Sequence, residues 1–257
     1  MPAPILTLTT DFGLCDHYVG TMKGVILGIC PRARLVDISH LVTPFAIAEG
    51  AYLIAQAYRY FPPKTVHLVV VDPGVGSARR PILMEAAGQY FVAPDNGVLA
   101  MIFAREKHRV RLIANPRYFR QPVSRTFHGR DIFAPVAAHV AAGVAAARMG
   151  KRIADFVFPS FAGPRKTAAR TWVGEVLKID RFGNIVTNFH GDEFPVLEQL
   201  AIGRSKARRL LGSYAAASRG ELFAIAGSSG YLEVSLNQGS AAKRIGCSSG
   251  DPCQIRV

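Results

Sequence analysis

Over its first 150 or so residues the chain alternates between two spacings of apolar residues, and this alternation limits its fold more than any other feature. Short runs rich in β-branched residues lie at 5–10, 35–38, 65–71, 90–93 and 110–113. Helix-length segments separate them at 17–30, 47–61 (stopped by Pro62-Pro63), 97–107 and 131–149. Apolar strands interleaved with helices predict an α/β domain whose sheet is mostly parallel and covered on both faces. After Phe158 the pattern changes. Residues 161–170 mix Pro, Gly and basic side chains and read as a linker. Beyond them come short runs at 172–179, 185–189, 221–226, 231–236 and 254–257, divided by Gly, Asn and Ser clusters, which predict a small all-β barrel or sandwich. The expected organisation is an N-terminal α/β domain over 1–160 and a C-terminal β-barrel domain over 171–257. The stretch 203–211 reads as a basic patch of helical character.

Composition narrows the class. Hydrophobic residues make up 49% and charged residues 19% of 257, a mix that can bury a sizeable core. Disorder, a coiled coil and a disulfide-stapled scaffold are excluded on that ground. The four cysteines form no C-x-x-C pair and no zinc spacing, which favours a reducing, cytoplasmic setting. The N-terminus lacks a basic region followed by a long apolar run, and the longest apolar run, 132–147, is shorter than the ~20 residues of a membrane span. A soluble protein with no membrane partner is expected. Lys and Arg total 31 against 18 Asp and Glu, a net charge of +13 that permits an anionic partner without dictating a reaction.

Polar residues at the ends of buried strands carry the functional signal. Asp11 follows the first apolar run directly, and Asp72 follows Val69-Val70-Val71. Ligands of open α/β sheets bind beyond the carboxyl ends of strands, so the two aspartates are candidates for one shared site. The ordinary alternative is that each caps the next helix. Both are followed by glycines, in Asp11-Phe-Gly13 and Asp72-Pro-Gly-Val-Gly76. The second run matches neither G-x-G-x-x-G nor a Walker A loop, so a nucleotide cofactor is not indicated. Its turn can instead fold Arg79 or Arg80 over Asp72. Thr126-Phe-His-Gly-Arg-Asp131 precedes a helical segment; Asp131 reads as its N-cap, which leaves His128 and Arg130 unexplained. No histidine pairing points to a metal. In the C-terminal part, Ile179-Asp-Arg-Phe-Gly-Asn184 and Ala226-Gly-Ser-Ser-Gly-Tyr231 read as ordinary turns between strands.

Taken in order, these segments resemble the S-adenosyl-L-methionine hydrolases that form adenosine (S-adenosyl-L-methionine hydroxide adenosyltransferases), relatives of the fluorinase and chlorinase enzymes. The matching segments are Thr9-Thr-Asp-Phe-Gly13, Asp16 with Tyr18-Val-Gly20, Thr43-Pro44, Val71-Asp-Pro-Gly-Val-Gly76 with Arg79, Ala93-Pro-Asp-Asn-Gly97, Thr126-Phe-His-Gly-Arg-Asp131, Ile179-Asp-Arg-Phe-Gly-Asn184 and Asn237-Gln-Gly239. The resemblance implies that water attacks ribose C5′ and displaces methionine, giving adenosine and L-methionine, with no cofactor and no metal. It implies a homotrimer with sites at subunit interfaces. It places Asp72, Arg79 and His128 at the water, Asp11 on the ribose hydroxyls, and Asp16 and Asp180 on the methionine ammonium. Ser228 falls near the amino-acid end, Phe182 and Asn184 on the adenine, and Phe45 on an apolar wall by the ribose. Where the halogenating relatives carry arginine this chain has Ser229, and where they carry tyrosine it has Asp72; their inserted N-terminal loop is absent.

Arg79 stays protonated at any working pH, so either Asp72 or His128 would accept the proton of the attacking water. Two other readings compete. One is a basic nucleic-acid-binding protein, supported by the patch at Arg204–Arg209 and by Arg117, Arg120, Arg125 and Arg130. It is weakened by the lack of aromatics interleaved with those runs and leaves the strand-end aspartates without a purpose. The other is a halide-using adenosyl transferase, opposed by the negative charge of Asp72.

Overall fold

The computed structural model describes residues 2–159 and 163–257, which divide into two compact units, residues 1–158 and 159–257. In the first, strands β1 (Ile5–Thr10), β2 (Arg34–Ser39), β3 (Val66–Val70), β4 (Pro81–Ala86), β5 (Gln89–Pro94), β6 (His108–Leu112) and β7 (Arg152–Ile153) form one sheet in the order 2-1-3-5-4-6-7. The pairs β1–β2, β1–β3 and β3–β5 are parallel, while β4 and β7 run against their neighbours. Five of the seven strands therefore point one way, and the sheet is mostly parallel as its sequence pattern predicts. The hairpin strand β4, with its charged residue Glu85 and its initial proline, carries too short an apolar run to announce itself in sequence.

Helices α1 (Tyr18–Ile29), α2 (Ile47–Ala57), α3 (Ala100–Phe103) and α4 (Ala134–Ala141) flank this sheet. Alternation along β1 explains the layering, because successive side chains leave a strand on opposite faces. Leu6 and Leu8 pack with Met22 and Ile26 of α1 and Val136 and Ala137 of α4. Thr7 points the other way and meets the buried imidazole of His67 on β3. Three helical segments prove shorter than their sequence pattern. The segment 47–61 ends as a 3-10 turn at Tyr58–Tyr60, 97–107 keeps only α3, and 131–149 opens with a π-helical turn at Gly129–Phe133. Asp131 lies inside that turn and caps nothing at its entrance. Its buried carboxylate accepts from the Ser124 amide and from Arg130, tying the preceding loop down.

The second unit contains β8 (Arg165–Ala168), β9 (Thr171–Ile179), β10 (Ile185–His190), β11 (Gln199–Ile202), β12 (Ser205–Ala207), β13 (Leu210–Leu211), β14 (Leu222–Ala226), β15 (Tyr231–Leu236) and β16 (Pro252–Arg256), with a short helix α5 (Ala241–Ile245). The strand order is 12-11-16-9-10-15-14-13, with β8 beside β9. The ends of that order, β12 and β13, are separated in sequence only by Arg208 and Arg209, and Ala224 donates to the Arg209 carbonyl. A sheet whose two margins are joined by two residues has to curl, giving a nearly closed barrel-like sheet around Val176, Phe189, Leu200, Leu232 and Ile255. The basic stretch 203–211 is thus the strand seam of this sheet and carries no helix. The stretch 161–170 includes β8; residues 161 and 162 lie outside the described residues.

His67 links core packing to pH. It is fully buried, its Nδ1 is 2.7 Å from Thr7 Oγ1 and its Nε2 3.1 Å from Gln89 Oε1, and it stacks on Phe91. Burial pushes its pKa down to about 4, so acid protonates the unfolded chain before the folded one. Stability from this group is complete above the unfolded value near 6.5 and falls by about 1.4 kcal/mol per pH unit below it, down to about 4. Urea unfolding at several pH values should record that loss, and His67→Gln should flatten it; an unchanged slope would exclude His67 as its source.

Candidate active site

The parallel strands β1, β3 and β5 end side by side, and each is followed at once by an aspartate: Asp11 after β1, Asp72 after Val71 at the end of β3, and Asp95 after β5. Backbone carbonyls and amides at these ends have finished their ladder bonds, so the loops can turn polar groups outward without opening the core. Asn96 reinforces the middle one by donating from Nδ2 to the Val71 carbonyl at 2.8 Å.

Asp72 is held by Arg79. The guanidinium donates from Nε to both carboxylate oxygens at 2.9 Å and from Nη2 to Oδ2. The same Nη2 lies 2.7 Å from His128 Nδ1. Only 4% of the Asp72 side chain and 9% of the Arg79 side chain are exposed, so this bidentate pair works where water screens it little. The guanidinium also lies over the Phe133 ring, 5.1 Å from its centroid, which fixes its plane. Arg80 takes a different course, donating to Asp95 Oδ2 and to Asp155. Of the two arginines that sequence offered to Asp72, the fold assigns Arg79.

A guanidinium can only donate, so His128 Nδ1 must present a lone pair to Arg79 and the imidazole carries its proton on Nε2. Burial and the adjoining Arg79 charge hold His128 below its ordinary pKa, against the opposing pull of Asp72 and Asp131. Neutral His128 therefore offers an N–H donor on its remaining side.

Asp11 is partly buried nearby. Burial raises its pKa, the Phe45 amide opposes the rise by donating to Oδ2 at 2.9 Å, and the charge of Asp72 adds to it. Phe45 holds φ = 69°, a left-handed backbone unusual for an aromatic residue, and the residue is 70% exposed. Buried Glu49, at the start of α2, accepts from the Thr43 amide and steadies this turn. Asp16 is exposed in the loop before α1. The N-terminal unit thus assembles Asp11, Asp72, Arg79, His128 and the Phe45 turn. Sequence reading missed the supports Asn96 and Glu49; Asn96 adjoins a strand-end aspartate, whereas Glu49 looks in sequence like any polar residue at a helix start.

In the C-terminal unit, Asp180, Phe182 and Asn184 share one turn. Asp180 Oδ1 accepts from the Phe182 and Asn184 amides, and Oδ2 from Asn184 Nδ2 at 2.9 Å. Gly183 is required there, with φ = 86° and no room for a Cβ beside Ser240. Phe182 is 79% exposed, and Ser228 is exposed in its own turn. Buried Glu233, on β15, accepts from Tyr214 at 3.1 Å; burial raises its pKa and the charge of Asp180 raises it further. Among the described residues no group of three or more His, Cys, Asp or Glu could hold a metal ion, and no helix is long and apolar enough to cross a membrane.

The family models of the SAM hydroxide adenosyltransferase N-terminal and C-terminal domains match residues 6–150 and 174–254. The chain belongs to the SAM hydroxide adenosyltransferase family. It is 38% identical to an (R)-S-adenosyl-L-methionine hydrolase of Salinispora tropica, over 99% of this chain and 98% of that one. A fluorinase of Nocardia brasiliensis is 29% identical over 99% and 97%. The crystal structure of an uncharacterized conserved protein from Thermotoga maritima superposes with a TM-score of 0.87 at 38% identity, covering 98% of this chain and 100% of that one. The strand-end aspartates of this adenosyltransferase-family chain therefore sit on a fold shared across nearly its whole length.

Gly76 decides whether the Asp72–Arg79 loop can close. Its φ is 78°, and a Cβ there would lie 2.4 Å from the Arg125 carbonyl, in the loop that leads to His128. Gly76→Ala should cost about 2 kcal/mol or more by urea unfolding. Gly74→Ala, whose nearest neighbours lie at 3.3 Å, should cost less. Equal costs would mean that this close approach does not dictate the glycine.

Proposed function

We propose that this chain hydrolyses S-adenosyl-L-methionine to adenosine and L-methionine, with water attacking ribose C5′ in line with the C–S bond. The observation that carries the reading is the single guanidinium of Arg79 gripping Asp72 and His128 together at the end of β3. The sulfonium needs no acid to leave, so the protein has two tasks: to align the water and to take its proton. Alignment in a near-attack geometry contributes several kcal/mol, and a positioned base about 10²–10⁴-fold.

The hydrogen-bond pattern favours one division of work between the two candidate bases. His128 Nδ1 is committed to Arg79, so its Nε2–H donates to the water oxygen and orients it. Asp72 is left to accept the proton. A weak base suffices, because the oxygen bonded to C5′ becomes a protonated alcohol and loses its proton readily. The same carboxylate attracts the cationic sulfonium and repels a halide, which favours hydrolysis over halogenation.

In this reading Asp11 accepts from the ribose hydroxyls and Phe45 walls the ribose. Asp16 and Asp180 meet the methionine ammonium, with Ser228 at the amino-acid end. Phe182 stacks on adenine. Asn184 commits its amide nitrogen to Asp180 and keeps Oδ1 to accept from the adenine amino group. Assembly as a homotrimer belongs to the proposal; Leu14, Leu41 and Phe45, each at least 66% exposed around the strand ends, form an apolar rim suited to cover by a neighbouring subunit. The substrate is an intracellular metabolite, and action in the cytoplasm accords with four free cysteines.

Chromatography of the pure protein with substrate should find adenosine and methionine in equal amounts, with no 5′-halo-adenosine in excess fluoride or chloride. Absence of adenosine overturns the reading. Asp72→Asn should lower kcat by at least about 10² while substrate affinity changes a few-fold. Protonated His128 would confront the Arg79 donor with another N–H, so kcat/KM should fall as pH drops through a value below 6.5. That acid limb should vanish in His128→Ala, along with most of the rate; a limb that persists would remove His128 from the site.

A further inference from the structure

His40 is among the most deeply buried polar groups near the strand ends, with 3% of its surface exposed, and nothing in the reaction uses it directly. It follows β2, the neighbour of β1, and it touches the Asp11 segment twice. Its Nδ1 lies 2.8 Å from Thr10 Oγ1, the residue before Asp11. Its main-chain carbonyl accepts from the Gly13 amide at 2.7 Å, two residues after Asp11. Thr10 Oγ1 in turn accepts from the Phe12 amide at 3.3 Å. Asp11 is therefore bracketed by contacts that converge on one residue.

Outward, His40 Nε2 lies 3.0 Å from Asp37 Oδ1, and Asp37 Oδ2 accepts from Lys23 Nζ on α1 at 2.6 Å. Burial pushes Asp37 up, but Lys23 and His40 together hold it below the usual carboxylate range, so it stays anionic. The anion faces Nε2 as a charge contact, which favours a ring proton on that nitrogen and leaves Nδ1 with a lone pair for the Thr10 hydroxyl. That hydroxyl is then turned with its oxygen free to receive the Phe12 amide. A buried imidazole without such partners would be costly, so the chain Lys23–Asp37–His40–Thr10 is best satisfied in a single arrangement.

We propose that His40 is a positioning residue for Asp11, acting through Thr10 and Gly13 and anchored by Asp37. It sets where the Asp11 carboxylate stands against the Phe45 amide, and through that the grip on the substrate's vicinal hydroxyls. The inference rests on the reading of Asp11 as the ribose-binding group. A group that aids ground state and transition state alike changes KM and leaves kcat.

The test compares wild type, His40→Ala, His40→Asn and Asp37→Asn. In His40→Ala, KM for S-adenosyl-L-methionine should rise at least tenfold while kcat stays within threefold. His40→Asn, whose amide reaches the place of Nδ1, should recover most of that loss. Asp37→Asn, which keeps the ring but removes its anchor, should raise KM by a smaller factor. Hydrogen exchange gives a readout independent of turnover: the Phe12 amide, bonded to Thr10 Oγ1, should exchange at least tenfold faster in His40→Ala, with Leu6 and Leu8 of β1 unchanged. Unchanged exchange at Phe12 overturns the proposal, as does a fall in kcat alone that tracks the folded fraction. If His40→Ala does not fold, Asp37→Asn decides by the same two measurements. Wild type that releases no adenosine defeats the hydrolase reading, and the exchange result still decides the role of His40.

Discussion

Much of the N-terminal unit is arranged around one guanidinium. Arg79 has five N–H donors in a plane and no acceptor, so it can join a carboxylate to an imidazole only if both are brought to its edge in fixed directions. The end of β3 supplies the carboxylate, the loop before the π-helical turn supplies the imidazole, and the Phe133 ring supplies a floor. Each element is placed by something outside the cluster: Asn96 on the Val71 carbonyl, Gly76 against Arg125, Asp131 on the Ser124 amide. The grip has a chemical consequence. A donor-only partner determines which imidazole nitrogen is free: Nδ1 accepts from Arg79 and Nε2 keeps its proton.

Charge shows a similar division of labour. The chain carries a net +13, yet the turns that end β1, β3 and β5, and the turn after β9, each present a carboxylate. Net charge governs solubility and encounter, whereas a site is governed by what lies within a few ångströms. A cationic sulfonium with a cationic ammonium suits carboxylates held partly out of water. The basic stretch at Arg204–Arg209, which invited a nucleic-acid reading, serves as the seam where the barrel-like sheet closes.

Much of this was legible in the chain. β1 and β3 announce themselves because strands buried on both faces are built of apolar and β-branched residues with few charges, and that makes Asp11 and Asp72 conspicuous. The turn residues of Asp180–Asn184 and the glycines of 72–76 are similarly forced by backbone geometry. β4 was hidden by its proline and Glu85, and the shortening of the 97–107 and 131–149 helices by apolar residues that serve the core without being helical. His40 and Glu49 were illegible because a buried polar residue looks in sequence like any exposed one until its partners are known.

The sequence by itself determined the α/β-then-β order, the strand-end aspartates and the family, because alternation of apolar runs and short ordered motifs are local properties written along the chain. Only the tertiary structure decided that Arg79 holds Asp72 through Nε and Nη2, that His128 turns Nδ1 toward it, that Asp131 is a buried anchor rather than a cap, and that His40 stands behind Asp11. Those are contacts between residues 7 to 49 positions apart. Hydrogen-bond direction and burial depend on what folding brings alongside, which no local pattern encodes.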